Sequence, residues 1–433
     1  MQNFIIYFAI VVFTSIQAYA QTDVTLSVRV GGSDLIGVGI EGFEAPGDRN
    51  VDTVRSTLEW DLDFCGLFQI KAPPDASLTI PGGLFGKWEA VGAKIVVVGE
   101  PSSDGGQVTI RLIDLQTAGT LMSDAYRIRK EDPKYTAHVI ADDIISIFNG
   151  LRGCMASQLA FISESRDVKE IFLMDPDGSK RRQVTFSRTL NLSPGWSVDG
   201  KNVAYSTLVD AMWAVASINI DTGQMTIVSD RSGLNTAPSY SPVDPDVIAY
   251  ASNRDGNTEI YTSRRNGGNL RRLTNHRSID SSPTWSPDGS MICFTSDRTG
   301  APKLYLMSRD GTGIRRLTHA IGTYEDSPCW SPRGDRIAFV LMNDYGSFDI
   351  ATVDVSGNDM VMLTFGAGSN ENPKWSPDGL KIVFTSNRHG GKNLYVMNWD
   401  GSEVQPLTND GRSLSPAWAP TASGNDVRLS SQR

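Results

Sequence analysis

The sequence predicts a multidomain chain: a small N-terminal α/β domain followed by a six-bladed β-propeller, closed by pairing of its N- and C-terminal strands. Three observations carry this. A heptad recurs, as Pro283-Thr284-Trp285-Ser286-Pro287-Asp288-Gly289 and Pro373-Lys374-Trp375-Ser376-Pro377-Asp378-Gly379; the run from Pro328 to Gly334 nearly matches it, and looser copies begin at Pro194, Pro238 and Pro416. The six prolines are separated by 44, 45, 45, 45 and 43 residues, a period that belongs to arrays of four-stranded sheets around an axis. The first unit, from Leu159, starts on what matches a second strand, and the last, from Pro416, supplies only a first. Three strands at the front and one at the back complete a sixth blade.

Taken in order, residues 1–20 read as a secretory signal. An apolar run of ten residues, Phe4 to Phe13, is too short to span a bilayer, and Ala18-Tyr19-Ala20 fits a cleavage site. No Lys or Arg precedes the run, and no other segment is apolar enough to cross a membrane. Residues 21–150 are the α/β domain, with 21–33 expected to be mobile. Val24–Val30 alternates like an edge strand, Leu35–Ile40 offers a second strand, and Val51–Phe64 has helical spacing with Val54, Leu58 and Leu62 on one face. The β-branched run Lys94–Gly99 reads as a buried strand and Val108–Ile113 as another, in a mixed sheet. The next helix is punctuated at both ends: Asp132 as N-cap, Pro133 in the first turn, Gly150 as the stop. Its apolar face is Ala137, Ile140, Ala141, Ile144, Ile147 and Phe148. Asn149–Gly153 is a short, stiff joint.

The propeller is expected over 155–421. In the unit from Pro373, the first strand ends at Trp375 and Ser376–Gly379 forms a tight hairpin, with Pro presetting φ and Gly supplying positive φ. Lys381–Thr385, Asn393–Met397 and Val404–Thr408 are the remaining strands, joined by turns at Asn387–Gly391 and Asp400–Gly401. The large Trp or Tyr of each heptad is the expected filler between blades. Residues 422–433 are left as a tail beyond the closing strand, expected to be disordered.

Composition narrows the function. A net charge of −9 argues against nucleic acid, because phosphate contact needs a basic face. The pairs Arg181-Arg182, Arg271-Arg272 and Arg315-Arg316 fall on outer strands, where charge protects an edge. Cys65, Cys154, Cys293 and Cys329 allow three full pairings and the sequence does not choose among them. There is no G-x-S-x-G elbow, no P-loop and no Cys/His cluster. No catalytic residue and no cofactor is expected. His276 and His319, in equivalent loops of neighbouring units, support one alternative: a hydrolase or lyase with a metal at the channel mouth.

The segments just ahead of the repeated prolines should be loops rimming one mouth of the channel. They are polar and acidic, and form a shallow funnel suited to gripping a partner. The candidate contact residues are Leu192, Asn235, Thr236, Ala237, Asp280, Ser281, Glu325, Asp326, Asn370 and Glu371. Of these, Asp280, Glu325, Asp326 and Glu371 are also where a cation would sit.

The signal, the small α/β domain with its strand Lys94–Gly99 and helix from Pro133, and six P-x-W-S-P-D-G-type blades together resemble the TolB family of the Tol–Pal system, over essentially the whole chain after the signal. The resemblance implies a non-enzymatic periplasmic adaptor that aids outer-membrane integrity and invagination at division. It implies a peptidoglycan-associated lipoprotein, Pal, at one propeller mouth, with Asn235, Thr236, Ala237, Asp280 and Ser281 among the contacts. It implies TolA on the N-terminal segment, with Gln21, Thr22, Asp23, Val24, Thr25 and Leu26 engaged, and other outer-membrane proteins as further partners. The second unit departs from the pattern, reading Tyr240-Ser241-Pro242-Val243-Asp244.

Overall fold

A computed structural model describes residues 35–72, 83–230, 233–319 and 324–429. The signal, the segment 21–33 with Gln21 to Leu26, and the expected strand at Val24 lie outside these residues.

The N-terminal part is a mixed sheet with helices against it. Strands β1 (Ile36–Gly42), β2 (Phe68–Ile70) and β3 (Ile95–Pro101) run parallel, in the order β2-β1-β3. Strands β4 (Gln107–Asp114) and β5 (Thr120–Arg127) continue it antiparallel. Helix α1 (Arg49–Phe64) is capped by Asp48, whose side chain accepts from the Asn50 and Val51 N–H groups. The short α2 spans Gly83–Ala90. Helix α3 (Pro133–Asn149) has the expected punctuation: Asp132 accepts from the Tyr135 N–H, and Gly150 ends it at φ 72°. Ile147 does not belong to its apolar face; it is 39% exposed. Gly39 is required by packing, since a Cβ there would lie 2.5 Å from the Trp88 ring.

Residues 422–429, the described part of the expected tail, are not free. Arg428–Leu429 pairs antiparallel with β5 and forms the far edge of the N-terminal sheet. Asp143 on α3 accepts from Arg428 Nε at 2.7 Å, and Arg129 pairs with Asp426. The chain therefore closes the propeller and then returns to the first domain.

Six four-stranded sheets form the propeller. The clasp is the sheet in which Ser413–Trp418 pairs antiparallel with Leu159–Ser165, matching Trp418 to Leu159 and Ser413 to Ser163. Innermost strands pack successively around the axis and the last returns to the first. Second and third strands are almost wholly buried, as sheets covered on both faces must be. Neighbouring blades are joined by indole bonds: Trp285 Nε1 donates to the Ser239 carbonyl and Trp196 Nε1 to that of Ala417, each at 3.1 Å. Tyr240, which replaces Trp in the divergent unit, bonds the Ser217 hydroxyl at 2.7 Å.

In five of the six sheets a buried threonine ties the third strand to the fourth. Thr185, Thr274 and Thr364 accept from the Ile171, Ile260 and Ile350 N–H groups and donate to Glu170, Glu259 and Asp349 respectively. Such acceptors are needed because a buried unpaired polar group costs about 1–3 kcal/mol.

The N-terminal domain packs on the propeller end formed by the Ser-Pro-Asp-Gly hairpins. Asn149 Nδ2 donates to the Asp378 carbonyl at 2.9 Å and its Oδ1 accepts from Arg333. Lys381 lies 4.7 Å over the Phe64 ring, Lys134 reaches Asp177 at 3.1 Å, and Trp418 Nε1 donates to Ser157 Oγ at 2.8 Å. Cys65 and Cys154 are buried free thiols, as is Cys293, while Cys329 is half-buried and free; burial pushes the Cys65 thiol up to about 12.

Candidate functional site

The segments ahead of the repeated prolines are not loops. Asn235–Tyr240, Asp280–Trp285, Glu325–Trp330 and Asn370–Trp375 are the innermost strands themselves. Each carries a register shift on the residue before its proline. The six residues there, Ser193, Ala237, Ser282, Ser327, Asn372 and Ser415, all adopt left-handed backbone with φ between 49° and 55°. An extra residue in one strand forces such a bend and sharpens the local twist. The bend is held from the neighbouring blade: the Ala237 N–H donates to Ser206 Oγ at 3.1 Å and the Ser415 N–H to Thr385 Oγ1 at 2.9 Å. The following proline has no N–H to leave unpaired on this inner edge.

The candidate contact residues divide in two. Asn235, Asp280, Glu325 and Asn370 begin their strands and are buried. Asn235 Oδ1 accepts from Ser229 and Ser252 and its amide donates to the Trp213 carbonyl. Asp280 holds Arg298 through both oxygens at 2.9 and 2.8 Å; burial still pushes its carboxyl up, against Ser296 and Arg298. Glu325 accepts from Lys303 at 2.9 Å and from Thr318. Asn370 accepts from Arg388 at 3.0 Å and donates to Asp349. These four hold adjacent strands together and offer a partner no free surface. Leu192, Thr236, Ala237, Ser281, Asp326 and Glu371 remain partly exposed. Asp326 accepts from Thr295 of the preceding blade at 2.9 Å, and Glu371 from Lys392 at 3.1 Å.

His276 and His319 are not brought to a shared site with other ligands. His276 Nδ1 accepts from the Ser278 N–H at 3.1 Å, and His319 is exposed. Among the described residues no group of three or more His, Cys, Asp or Glu could hold a metal ion.

What the sequence reading missed is aromatic. The mouth opposite the N-terminal domain is built from the connections between second and third strands and those leading into each first strand. On it stand Tyr345, 91% exposed, Phe365, 74%, and Phe186, 73%. These are the three most exposed large apolar side chains among the described residues, and Ile279 joins them at the same end. Tyr345 and Phe365 share a blade, and their loops meet where the Phe348 N–H donates to Ser369 Oγ. The signal was present in the repeats: Thr185 and Thr364 are followed by Phe, where Thr274, Thr318 and Thr408 are followed by Asn or His.

Between the inner strands runs an axial cavity of about 220 Å³, lined by all six blades. Along its wall lie the six left-handed residues, the prolines that follow five of them and the residues one further on.

Comparison with known proteins agrees with this architecture. The family model described as the TolB beta propeller domain matches residues 146–422, and that of the TolB amino-terminal domain matches 24–121. A protein of Chlorobium luteolum described as a TolB homolog is 34% identical over 367 residues, 83% of each chain. The Tol-Pal system protein TolB of Gluconobacter oxydans is 30% identical, over 85% of this chain and 83% of that one. The crystal structure of TolB from Acinetobacter baumannii superposes with a TM-score of 0.78 at 26% identity, covering 90% of this chain and 98% of the other. With both its domains matched in order, the chain belongs to the TolB family.

Proposed function

We propose that the protein is a non-enzymatic periplasmic adaptor of the Tol–Pal system, gripping a Pal-type lipoprotein at the propeller mouth opposite the N-terminal domain. The observation that carries this is the exposure of Tyr345, Phe365 and Phe186 around that mouth. Aromatic side chains left in water on a rim of polar groups are what a protein interface uses as anchors. The partly exposed Thr236, Ser281, Asp326 and Glu371 supply the polar surround, with Leu192 and Ala237 between them. Asn235, Asp280, Glu325 and Asn370 act from behind, by fixing the strands that carry them.

The N-terminal segment, Gln21 to Leu26, engages TolA in this reading, by adding a strand to a sheet edge of the partner. Other outer-membrane proteins are further partners. The role so assigned is to link the envelope layers and to draw the outer membrane inward at division. Among the described residues no helix is long and apolar enough to cross a membrane.

The test is co-purification from detergent-solubilised envelope. Wild type should retain a peptidoglycan-bound lipoprotein, and Tyr345→Ala/Phe365→Ala should lose it at unchanged thermal stability. Equal recovery with the double variant would overturn the reading. Stoichiometric metal, with function lost on replacing His276 and His319, would favour the hydrolase instead.

A further inference from the structure

One position of the inner strands is shared by six residues that follow the repeated prolines: Gly195, Ser239, Thr284, Cys329, Lys374 and Ala417. All six line the axial cavity. Five are small. The sixth is a lysine, so a single long cationic side chain stands where the other blades leave room.

Among the described residues Lys374 has no ion-pair partner and makes no hydrogen bond. Among the described residues no Asp or Glu lines the cavity, and Lys374 is the one charged residue that does. Two other lysines of the propeller are paired, Lys303 with Glu325 and Lys392 with Glu371. An ammonium partly shielded from water and without a carboxylate in ion-pair contact attracts an anion, because the Coulomb term grows as solvent is excluded.

The next residue carries a second donor that has no partner among the described residues. Trp375 also lines the cavity, is 7% exposed, and its Nε1 is buried with no partner. In Trp196 and Trp285 the equivalent N–H is bonded to the neighbouring blade, while that of Trp330, which does not line the cavity, is also without a partner among the described residues. An indole N–H and an ammonium only donate, so whatever completes this site must accept. A water would satisfy the indole and leave the lysine charge unmatched. The hydroxyls of Ser282 and Ser327 line the same wall and supply further donors.

We infer that the axial cavity is an anion site for a carboxylate, held by the Lys374 ammonium and the Trp375 indole N–H. The cavity volume of about 220 Å³ admits one small carboxylate and no extended polymer. The carboxylate belongs either to a free metabolite-sized acid or to an Asp or Glu side chain pushed in from the mouth. Binding of a free acid does not depend on any protein docking there, so it can fail or succeed independently of the function proposed above.

Isothermal titration of the whole protein with acetate, succinate and inorganic phosphate tests this. At least one carboxylate should bind with one-to-one stoichiometry and millimolar affinity. Lys374→Met should weaken it by about tenfold or more, and Trp375→Phe, which removes only the N–H, by about fivefold. Lys374→Arg should retain it, and Lys94→Met, on the N-terminal domain, should leave it unchanged. Should Lys374→Met fold poorly, the contrast between Trp375→Phe and Lys374→Arg still decides. No saturable binding up to about 50 mM of any probe, or full binding by Lys374→Met, overturns the site. Where succinate displaces a bound lipoprotein domain, the site's carboxylate is a partner side chain; where it binds without displacing it, the site serves a free acid.

Discussion

Replacing Trp418 by alanine tests whether the ring is one cooperative body held by its clasp. Trp418 is buried, lies opposite Leu159 in the closing sheet, and donates its indole N–H to Ser157 Oγ at 2.8 Å. Truncating a buried Trp to Ala costs about 3–5 kcal/mol, and losing the hydrogen bond adds about 1 kcal/mol. Spread over a domain of this size, about 4–6 kcal/mol lowers the melting temperature by roughly 8–15 °C. The distribution of the loss matters more than its size. In an open array, destabilising a terminal repeat melts that repeat early and leaves the others alone. In a closed ring each blade leans on two neighbours, so the whole transition should shift. Differential scanning calorimetry separates these. One shifted transition carrying the wild-type propeller enthalpy is expected. An early minor transition followed by a main one at the wild-type temperature would refute the clasp. Truncation from Ser413 onward is the severe version and should abolish cooperative melting.

Other perturbations follow from the same contacts. Burial pushes the Asp142 carboxyl up to about 8, against hydrogen bonds from the Ala156 and Met155 N–H groups. The unfolded chain releases this proton near its ordinary value of about 3.9, so between that pH and about 8 the folded form holds the extra proton and stability falls, by at most about 1.4 kcal/mol per pH unit. Urea titrations of wild type and Asp142→Asn should therefore differ by an amount that changes across this window and is flat above it; a pH-independent difference contradicts the assignment. Lys303→Met strands the buried Glu325 carboxylate and should cost about 3–5 kcal/mol, most of it recovered in Lys303→Met/Glu325→Gln. An unchanged denaturation midpoint in the single variant would show the pair to be dispensable. Gly39→Ala drives a methyl into the Trp88 ring and should cost about 1–3 kcal/mol in the N-terminal domain alone, read by near-ultraviolet dichroism.

Much of the fold was legible because its signals are local and repeated. The proline period gave the blade count, the missing first strand at Leu159 gave the clasp, and Asp132, Pro133 and Gly150 marked α3 at both ends. The inner-strand bends were not legible. Ser193, Ala237, Ser282, Ser327, Asn372 and Ser415 take positive φ without glycine, since the neighbouring blade, not the local sequence, holds them there. Reading these segments as loops put Asn235, Asp280, Glu325 and Asn370 on a surface they do not reach. The return of Arg428–Leu429 to β5 escaped for another reason: its two pairs join residues some 300 positions apart, and a two-residue strand has no periodicity to read. The aromatic rim escaped because it breaks the repeat at single positions.

The mouth opposite the N-terminal domain is the proposed gripping end. Two matched sets of substitutions address it: Tyr345→Ala/Phe365→Ala on that mouth, and Val243→Ala, an exposed apolar side chain on the hairpin end. The measurement is the dissociation constant of each for the periplasmic domain of a Pal-type lipoprotein. The first should bind about tenfold or more weakly at unchanged melting temperature, and the second as wild type. Equal affinities for wild type and the double variant, or a loss confined to Val243→Ala, would contradict it.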